Sequence, residues 1–207
     1  MRIAITGGIC SGKSSICKII KDSGYFVFNS DDEAKILANT NLKIKEKVIS
    51  LFGTDSYVNG NYNTSYIRNI VFNDKHKLEE LNKCFQGLIL NEYDNKSLNY
   101  EISFFESALI FEHNLQDKFN VIIGVYCNEV ETIKRLKKRN GFNNNEIHKI
   151  ITNQLNTNDK MNKCNIVINT TNGIDYAKLD LILNNFEKVE ERGQKIFNYG
   201  LFSNNLD

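Results

Sequence analysis

The stretch GGICSGKS at residues 7–14 fits the pattern G-x-x-x-x-G-K-[ST], and its residue types suit the binding of phosphate groups. Glycines let backbone N–H groups turn inward around phosphate oxygens, and a helix that starts near Lys13 adds the positive end of its dipole. In such a loop Lys13 reaches the β- and γ-phosphates of a nucleoside triphosphate, and the Ser14 hydroxyl ligates Mg²⁺. The pattern predicts a nucleotide-binding site, with Ser14 as its metal ligand, formed by Gly8, Cys10, Ser11, Gly12, Lys13, Ser14 and Ser15.

A carboxylate suited to the group that receives the phosphate follows the apolar segment 25–28, in the sequence Asn29-Ser30-Asp31-Asp32. Ligand sites in parallel sheets lie at the carboxyl ends of the strands, so this segment is expected near the phosphates. Asp31 is the candidate to accept or orient the proton of an acceptor hydroxyl. The alternative is that Ser30, Asp31 or Asp32 caps the helix that follows, as such residues commonly do.

One glutamate and two arginines complete the charged candidates. Glu106 closes the apolar segment 101–106, where it is either an acid near metal-bound water or a solvated charge at a strand end. Arg135 and Arg139 lie one helical turn apart in KRLKKR and so share a helix face. They form either a phosphate clamp at the hinge of a lid or simply a solvated face, and Arg139, beside an Asn-Gly turn, is the better placed for a clamp.

The elements that must position these residues follow from apolar patterning. Five short apolar segments predict strands, at 2–6, 25–28, 101–106, 120–126 and 165–169. Segments with helical spacing alternate with them, at 13–22, 31–52, 64–98, 129–139, 146–155 and 174–192. The segment 31–52 is expected to break near Asn39-Thr40-Asn41, and 53–63 is predicted as a loop. Strands alternating with helices indicate an α/β fold on a five-stranded parallel sheet with three layers. The long helical stretch between the second and third strands predicts an all-helical insertion, and a smaller one is expected near 140–163.

Several classes of protein are disfavoured. The net charge of +1 gives no overall field that attracts nucleic acid or an anionic membrane. No signal peptide or membrane-spanning stretch is predicted, and five scattered cysteines without a C-x-x-C pair indicate free thiols in a reducing cytoplasm. The strings N-K-x-D and D-x-x-G, which GTPases use to read the base and to switch, do not occur in the sequence. A small-molecule kinase is therefore favoured over a switch protein.

The whole series of motifs resembles the dephospho-CoA kinase family over nearly the entire chain. TGGICSGKS is similar to the family's T-G-G-I-G-S-G-K-S, and NSD is similar to its D-A-D, with Asp31 on the second aspartate. Further similar segments, in the family's order, are LNKCFQG, ALIFE, IKRLKKRNG, the Ile151–Gln154 segment with a nearby lysine, and CNIVINTTNG. The chain departs from the family at Cys10, Asn29, Asn63-Thr64 and Gln86-Gly87.

The resemblance implies a P-loop kinase of three parts that phosphorylates the ribose 3′-hydroxyl of dephospho-CoA with ATP and Mg²⁺. The three parts would be a nucleotide-binding core (1–30, 100–139 and 164–207), an insertion that binds the acceptor (31–99) and a lid (140–163). It implies catalytic roles for Asp31, Lys13 and Arg139, nucleotide binding by Arg135, and substrate binding by Asn82, Gln86, Glu112 and Gln154. The expected protein is a cytoplasmic monomer or weak homo-oligomer.

Two alternatives stay open at this point. One is a P-loop kinase of another nucleotide or small hydroxyl metabolite, although the size of the insertion favours a sizeable acceptor. The other is a degenerate kinase that binds nucleotide and acts as a regulator, which the substitutions at Thr64 and Gln86 suggest.

Overall fold

The computed structural model describes residues 1–140 and 157–191, which form two compact units. The first unit consists of Met1–Phe28 and the chain from Asn99 onward, and the second of Asn29–Leu98. The strands are β1 (Arg2–Gly7), β2 (Phe26–Asn29), β3 (Tyr57–Val58), β4 (Asn61–Tyr62), β5 (Ser103–Glu106), β6 (Val121–Tyr126) and β7 (Ile166–Asn169). The helices are α1 (Lys13–Asp22), α2 (Ser30–Thr40), α3 (Leu42–Phe52), α4 (Thr64–Val71), α5 (Lys75–Ser97), α6 (Glu129–Asn140), α7 (Thr157–Asn162) and α8 (Tyr176–Glu191).

The first unit is built on a five-stranded parallel sheet in the order β2-β5-β1-β6-β7, as the apolar segments predict. Strand β1 lies at its centre, and Ile5 is in register with Glu106 of β5 on one side and Ile123 of β6 on the other. Because the strands run parallel, the loop after β1 and the residues that end β5 emerge at the same edge of the sheet.

The two faces of the sheet follow from the alternation of side chains along each strand. Ile3 and Ile5 of β1, with the odd-numbered residues of β6, join a core to which α1 and α8 contribute their apolar faces. On the opposite face, a Cβ on Gly124 would lie 2.7 Å from the Met161 sulfur of α7, so this glycine allows that helix to pack closely on the sheet. Helices on both faces give the predicted three layers.

The second unit has its own core, formed by helices α2 to α5. Its buried residues are Leu37, Ala38, Ile44, Val48, Phe52, Ile67 and Phe85. Three of its helices begin with an asparagine whose side chain accepts a hydrogen bond from a backbone amide in the first turn. The caps are Asn29 for α2, Asn41 for α3 and Asn63 for α4, whereas Asp74 caps α5.

Two sequence interpretations of the second unit are wrong in detail. Residues 53–63 are not only a loop, because β3 and β4 pair there as a small antiparallel hairpin and the insertion is not all-helical. Asn59 and Gly60 take positive φ angles of 50° and 81°, which is the geometry of an Asn-Gly hairpin turn. Residues 64–98 form two helices rather than one, since Asp74 accepts a hydrogen bond from the Lys77 amide and starts α5 anew.

The predicted helix 146–155 and most of the predicted lid, residues 141–156, lie outside the described residues. Within the described ranges, no helix combines the length and the apolar character needed to cross a bilayer.

Candidate active site

The phosphate-binding loop joins β1 to α1 and depends on two glycines. A Cβ on Gly7 would lie 2.3 Å from the Val125 carbonyl oxygen of β6, which no side chain tolerates. Gly12, with φ 97°, is the N-cap of α1, and a Cβ there would meet the Thr170 hydroxyl at 3.2 Å. Helix α1 has neither a side-chain cap nor an acid in its first turn, so its positive end is left for an anion.

The polar side chains of the loop are placed in three ways. The Lys13 ammonium donates to the carbonyl oxygens of Gly7 and Gly8, each at 2.9 Å, and so folds back over the loop. Ser14 and Ser15 are exposed in the first turn of α1. Ser11 is buried, and its hydroxyl has no hydrogen-bond partner among the described residues.

An acid lies directly beside this loop. Glu106 ends β5 with only 7% of its surface exposed, and the Ser14 hydroxyl lies 3.4 Å from its Oε1. Burial, together with the charge of Glu106 and a hydrogen bond to it, raises the pKa of the Cys17 thiol, which keeps that thiol a donor to the carboxylate. Glu106 is therefore not a solvated strand-end charge. The Ser14 hydroxyl and the Glu106 carboxylate are the hard oxygen donors that Mg²⁺ prefers.

Asp31 lies in the second unit, in the first turn of α2. Its proposed alternative role as a helix cap does not hold, because Asn29 accepts the capping hydrogen bond from the Asp32 amide at 2.9 Å. Asp32 pairs with Lys35, and the buried Glu33 pairs with Lys96. Asp31 is exposed and makes no hydrogen bond or ion pair with any described residue, so its carboxylate has no structural duty in this unit.

The predicted acceptor-binding residues are placed on two elements of different units. Asn82 and Gln86 are half-buried one turn apart on α5, and so share a face of that helix. In the first unit, Glu112 follows β5, and its Oε1 accepts a hydrogen bond of 2.7 Å from Lys160 of α7. Lys160 is 2% exposed and also donates to the Ala108 carbonyl oxygen, while Glu112 Oε2 is buried without a hydrogen-bond partner among the described residues.

Arg135 of α6 does not lie on a solvated helix face. Its guanidinium donates to the Thr170 carbonyl oxygen at 2.6 Å, to the Thr170 hydroxyl at 3.1 Å and to the Cys10 carbonyl oxygen at 3.3 Å. Its Nε donates to Glu131 one turn earlier. The Arg139 side chain and Gln154 lie outside the described residues.

We expect the pairing of Glu131 with Arg135 to make stability depend on pH. The hydrogen bond from Arg135, with a smaller contribution from Lys134, holds the pKa of Glu131 below its usual 4.5. A carboxyl whose pKa is lower in the folded state stabilises the fold above its unfolded pKa, and this contribution disappears as the pH falls through the lowered value. The melting temperature of Glu131→Gln should therefore lie below that of the unmodified protein at neutral pH, and the gap should close in acid.

The matched control is Glu129→Gln, because Glu129 lies in the same first turn of α6, is exposed and forms no ion pair within residues 1–140 and 157–191. It reports the effect of the helix dipole alone. A gap for Glu131→Gln that equals the gap for Glu129→Gln at every pH would contradict the prediction.

The backbone of Cys10 is strained because this residue has a Cβ and a positive φ. Its φ is 55°, in the left-handed region that costs a residue with a Cβ about 1–2 kcal/mol. Cys10→Gly should relieve this strain and raise the free energy of unfolding by up to about 1 kcal/mol. The gain is smaller than the strain because glycine also increases the entropy of the unfolded chain. Denaturant unfolding measures the change, and Cys10→Ala, which keeps the Cβ, should show no such gain. Equal stabilisation by alanine and glycine would show that the thiol, not the backbone, is the source.

These features define a P-loop kinase. The glycine-rich loop joins β1 to α1, Lys13 and Ser14 begin that helix, and Glu106 ends the neighbouring strand. A model of the dephospho-CoA kinase family matches residues 1–175, and the chain belongs to that family. Its members use ATP and dephospho-CoA in the final step of CoA biosynthesis, and the chain is accordingly a transferase.

Relatives in sequence carry the name of this family, and solved structures share the fold. The chain is 32% identical over 196 residues to a dephospho-CoA kinase of Fusobacterium nucleatum, covering 92% of this chain and 95% of the relative. It is 28% identical to one of Carboxydothermus hydrogenoformans, covering 87% and 90%. The fold is similar to that of TT1252 from Thermus thermophilus, with a TM-score of 0.74, 23% identity and coverage of 91% and 96%. It is also similar to a dephospho-CoA kinase from Campylobacter jejuni, with a TM-score of 0.54, 21% identity and coverage of 91% and 96%.

Sequence reasoning missed two members of the site, Cys17 and Thr170, and it did not predict that Glu112 accepts a hydrogen bond from Lys160. Cys17 and Thr170 belong to no phosphate-binding pattern, and the partners in all three contacts are distant in sequence. The only local signal was the position of Cys17, one turn after Lys13 on the same face of α1.

Proposed function

We propose that this chain transfers the γ-phosphoryl group of ATP to the ribose 3′-hydroxyl of dephospho-CoA. The observation that carries the proposal is the match to the family over residues 1–175 in a chain that retains Lys13, Ser14 and Asp31. In this reaction the 3′-oxygen forms a bond to the γ-phosphorus, the bond from that phosphorus to the bridging oxygen breaks, and ADP leaves.

On the nucleotide side, Lys13 exchanges its loop carbonyls for phosphate oxygens and stabilises the charge that spreads over them in the transition state. Ser14 would hold the divalent metal, Mg²⁺, and the Glu106 carboxylate beside the Ser14 hydroxyl would offer a further oxygen donor. When bound, Mg²⁺ neutralises charge on the phosphates and lowers the cost of transfer. Arg139 is assigned to the transferred group, as in the family pattern, and Gly8, Cys10, Ser11, Gly12 and Ser15 complete the loop.

On the acceptor side, Asp31 accepts the proton of the 3′-hydroxyl as the new bond forms. Among the described residues no hydrogen bond or ion pair competes for the Asp31 carboxylate, and this supports the role. Asn82, Gln86, Glu112 and Gln154 bind dephospho-CoA. The remaining assignments are a nucleotide-binding core (1–30, 100–139, 164–207), an acceptor-binding insertion (31–99) and a lid (140–163) that excludes water.

We place the protein in the cytoplasm, as a monomer or weak homo-oligomer that binds neither nucleic acid nor membrane. Its five cysteines are all free thiols, as expected in a reducing compartment.

A coupled assay of ADP release tests the proposal. ADP should appear at a rate that saturates with dephospho-CoA, requires Mg²⁺ and is lost with EDTA. The product should gain one phosphate by mass, located on the 3′-oxygen by phosphorus NMR. Shikimate and AMP serve as control acceptors, and faster turnover with either would indicate another small-molecule kinase. Nucleotide binding without turnover on any acceptor would indicate a regulator.

A further inference from the structure

Thr170 connects three parts of the first unit although it belongs to no phosphate-binding pattern. It follows β7, is 1% exposed, and its amide donates to the Tyr126 carbonyl oxygen at 2.8 Å. Its carbonyl oxygen accepts the hydrogen bond of 2.6 Å from Arg135. Backbone contacts on both sides therefore fix Thr170 in place, independently of what its hydroxyl does.

The Thr170 hydroxyl is directed at the phosphate-binding loop. Arg135 donates to this hydroxyl at 3.1 Å and so occupies one of its lone pairs, which leaves its single proton for a carbonyl oxygen. The Ser11 carbonyl oxygen lies 2.6 Å away and the Tyr126 carbonyl oxygen 3.2 Å away. The closer one, that of Ser11, is the acceptor.

Holding the Ser11 carbonyl fixes an amide on the other side of the same peptide. In a planar trans peptide the C=O and the N–H point in opposite directions, so the Gly12 N–H faces away from Thr170. The Gly12 N–H donates to no acceptor among the described residues. Gly12 is the N-cap of α1, whose positive end has no capping side chain. A backbone amide that faces the inside of a phosphate-binding loop donates a hydrogen bond to a phosphate oxygen.

We propose that Thr170 is a positioning residue for phosphoryl transfer: oriented by Arg135, its hydroxyl holds the Ser11 carbonyl so that the Gly12 amide faces the phosphates. The inference rests on the proposed function, and it assigns Arg135 a role through the loop rather than on the phosphates. A Cβ on Gly12 would press on the Thr170 hydroxyl at 3.2 Å, and the φ of 97° at Gly12 already favours glycine.

Thr170→Val and Thr170→Ser test the role of the hydroxyl. Valine keeps the shape of threonine without the donor, and serine keeps the donor without the methyl group. Titration calorimetry with ADP and Mg²⁺, in the absence of any acceptor, should show about tenfold weaker binding for valine, the scale of one lost hydrogen bond. Serine should bind within about threefold of the unmodified protein. In the ADP-release assay, valine should raise the KM for ATP about tenfold and leave the KM for dephospho-CoA within about twofold.

Ligand-free melting curves separate positioning from stability. A valine variant that melts lower but binds ADP as tightly as the unmodified protein would overturn the proposal, as would a serine variant as weak as valine. If the Thr170→Val variant does not fold, Thr170→Ala also removes the hydroxyl without adding bulk, and its ADP affinity and melting temperature are compared in the same way. Because the ADP titration uses no acceptor, its outcome is independent of whether dephospho-CoA is the substrate, which the assay of ADP release decides.

Discussion

Lys13→Ala is expected to lower kcat by at least about a hundredfold to a thousandfold, the usual cost of removing one preorganised charge or donor from the transition state. The Lys13 ammonium lies on the carbonyl oxygens of Gly7 and Gly8, inside the loop that receives the phosphates. Its replacement removes no residue from the hydrophobic core, so the fold should survive. Turnover and thermal unfolding should be measured on the same preparation.

Lys18→Ala is the matched control for that experiment, because Lys18 is exposed on the same helix, outside its first turn. It should retain full turnover. Near-normal turnover of Lys13→Ala would contradict the assignment of the phosphate-binding loop, and a collapse of both variants would point to helix α1 rather than to the charge.

Asp31→Asn is expected to cut kcat by roughly two to four orders of magnitude, the range for a lost general base, while ATP binding changes little. Asparagine has the same shape but cannot accept the proton. Because Asp31 is exposed and makes no hydrogen bond or ion pair with any described residue, the substitution should not alter stability. Nucleotide affinity by titration and single-turnover rates separate binding from chemistry.

Asp32→Asn provides the control, since Asp32 is the next residue of α2 and its one ion pair in the described part of the chain is with the exposed Lys35. Its kcat should stay within about twofold of the unmodified value. If Asp31→Asn instead lost ATP affinity and kept its rate per bound ATP, Asp31 would belong to the metal side of the site.

The sequence predicted the sheet well because the necessary information is local. Strands β1 and β6 are short apolar runs between turns, and the segment GGICSGKS predicts a loop between a strand and a helix. The hairpin of β3 and β4 was missed although its Asn-Gly turn is a local signal, since two-residue strands have too little patterning to be recognised.

The side-chain contacts within the site were not predictable in the same way. Thr170 and Ser11 are 159 residues apart, and nothing in NTTNG indicates which of its hydroxyls meets a carbonyl oxygen across the sheet. The environment of Glu106 likewise depends on register with β1 and on the direction of Cys17, so strand-end position alone left two roles open.

The asparagine caps of α2, α3 and α4 have a consequence for behaviour in acid. An amide carries no titratable proton, so the bonds from the amides of Asp32, Ile44 and Tyr66 to these caps persist at any pH at which the unit stays folded. Among the four caps of this unit, Asp74 of α5 is the one carboxylate, and it accepts its bond from the Lys77 amide. The first turns of α2, α3 and α4 therefore do not depend on the protonation state of their caps.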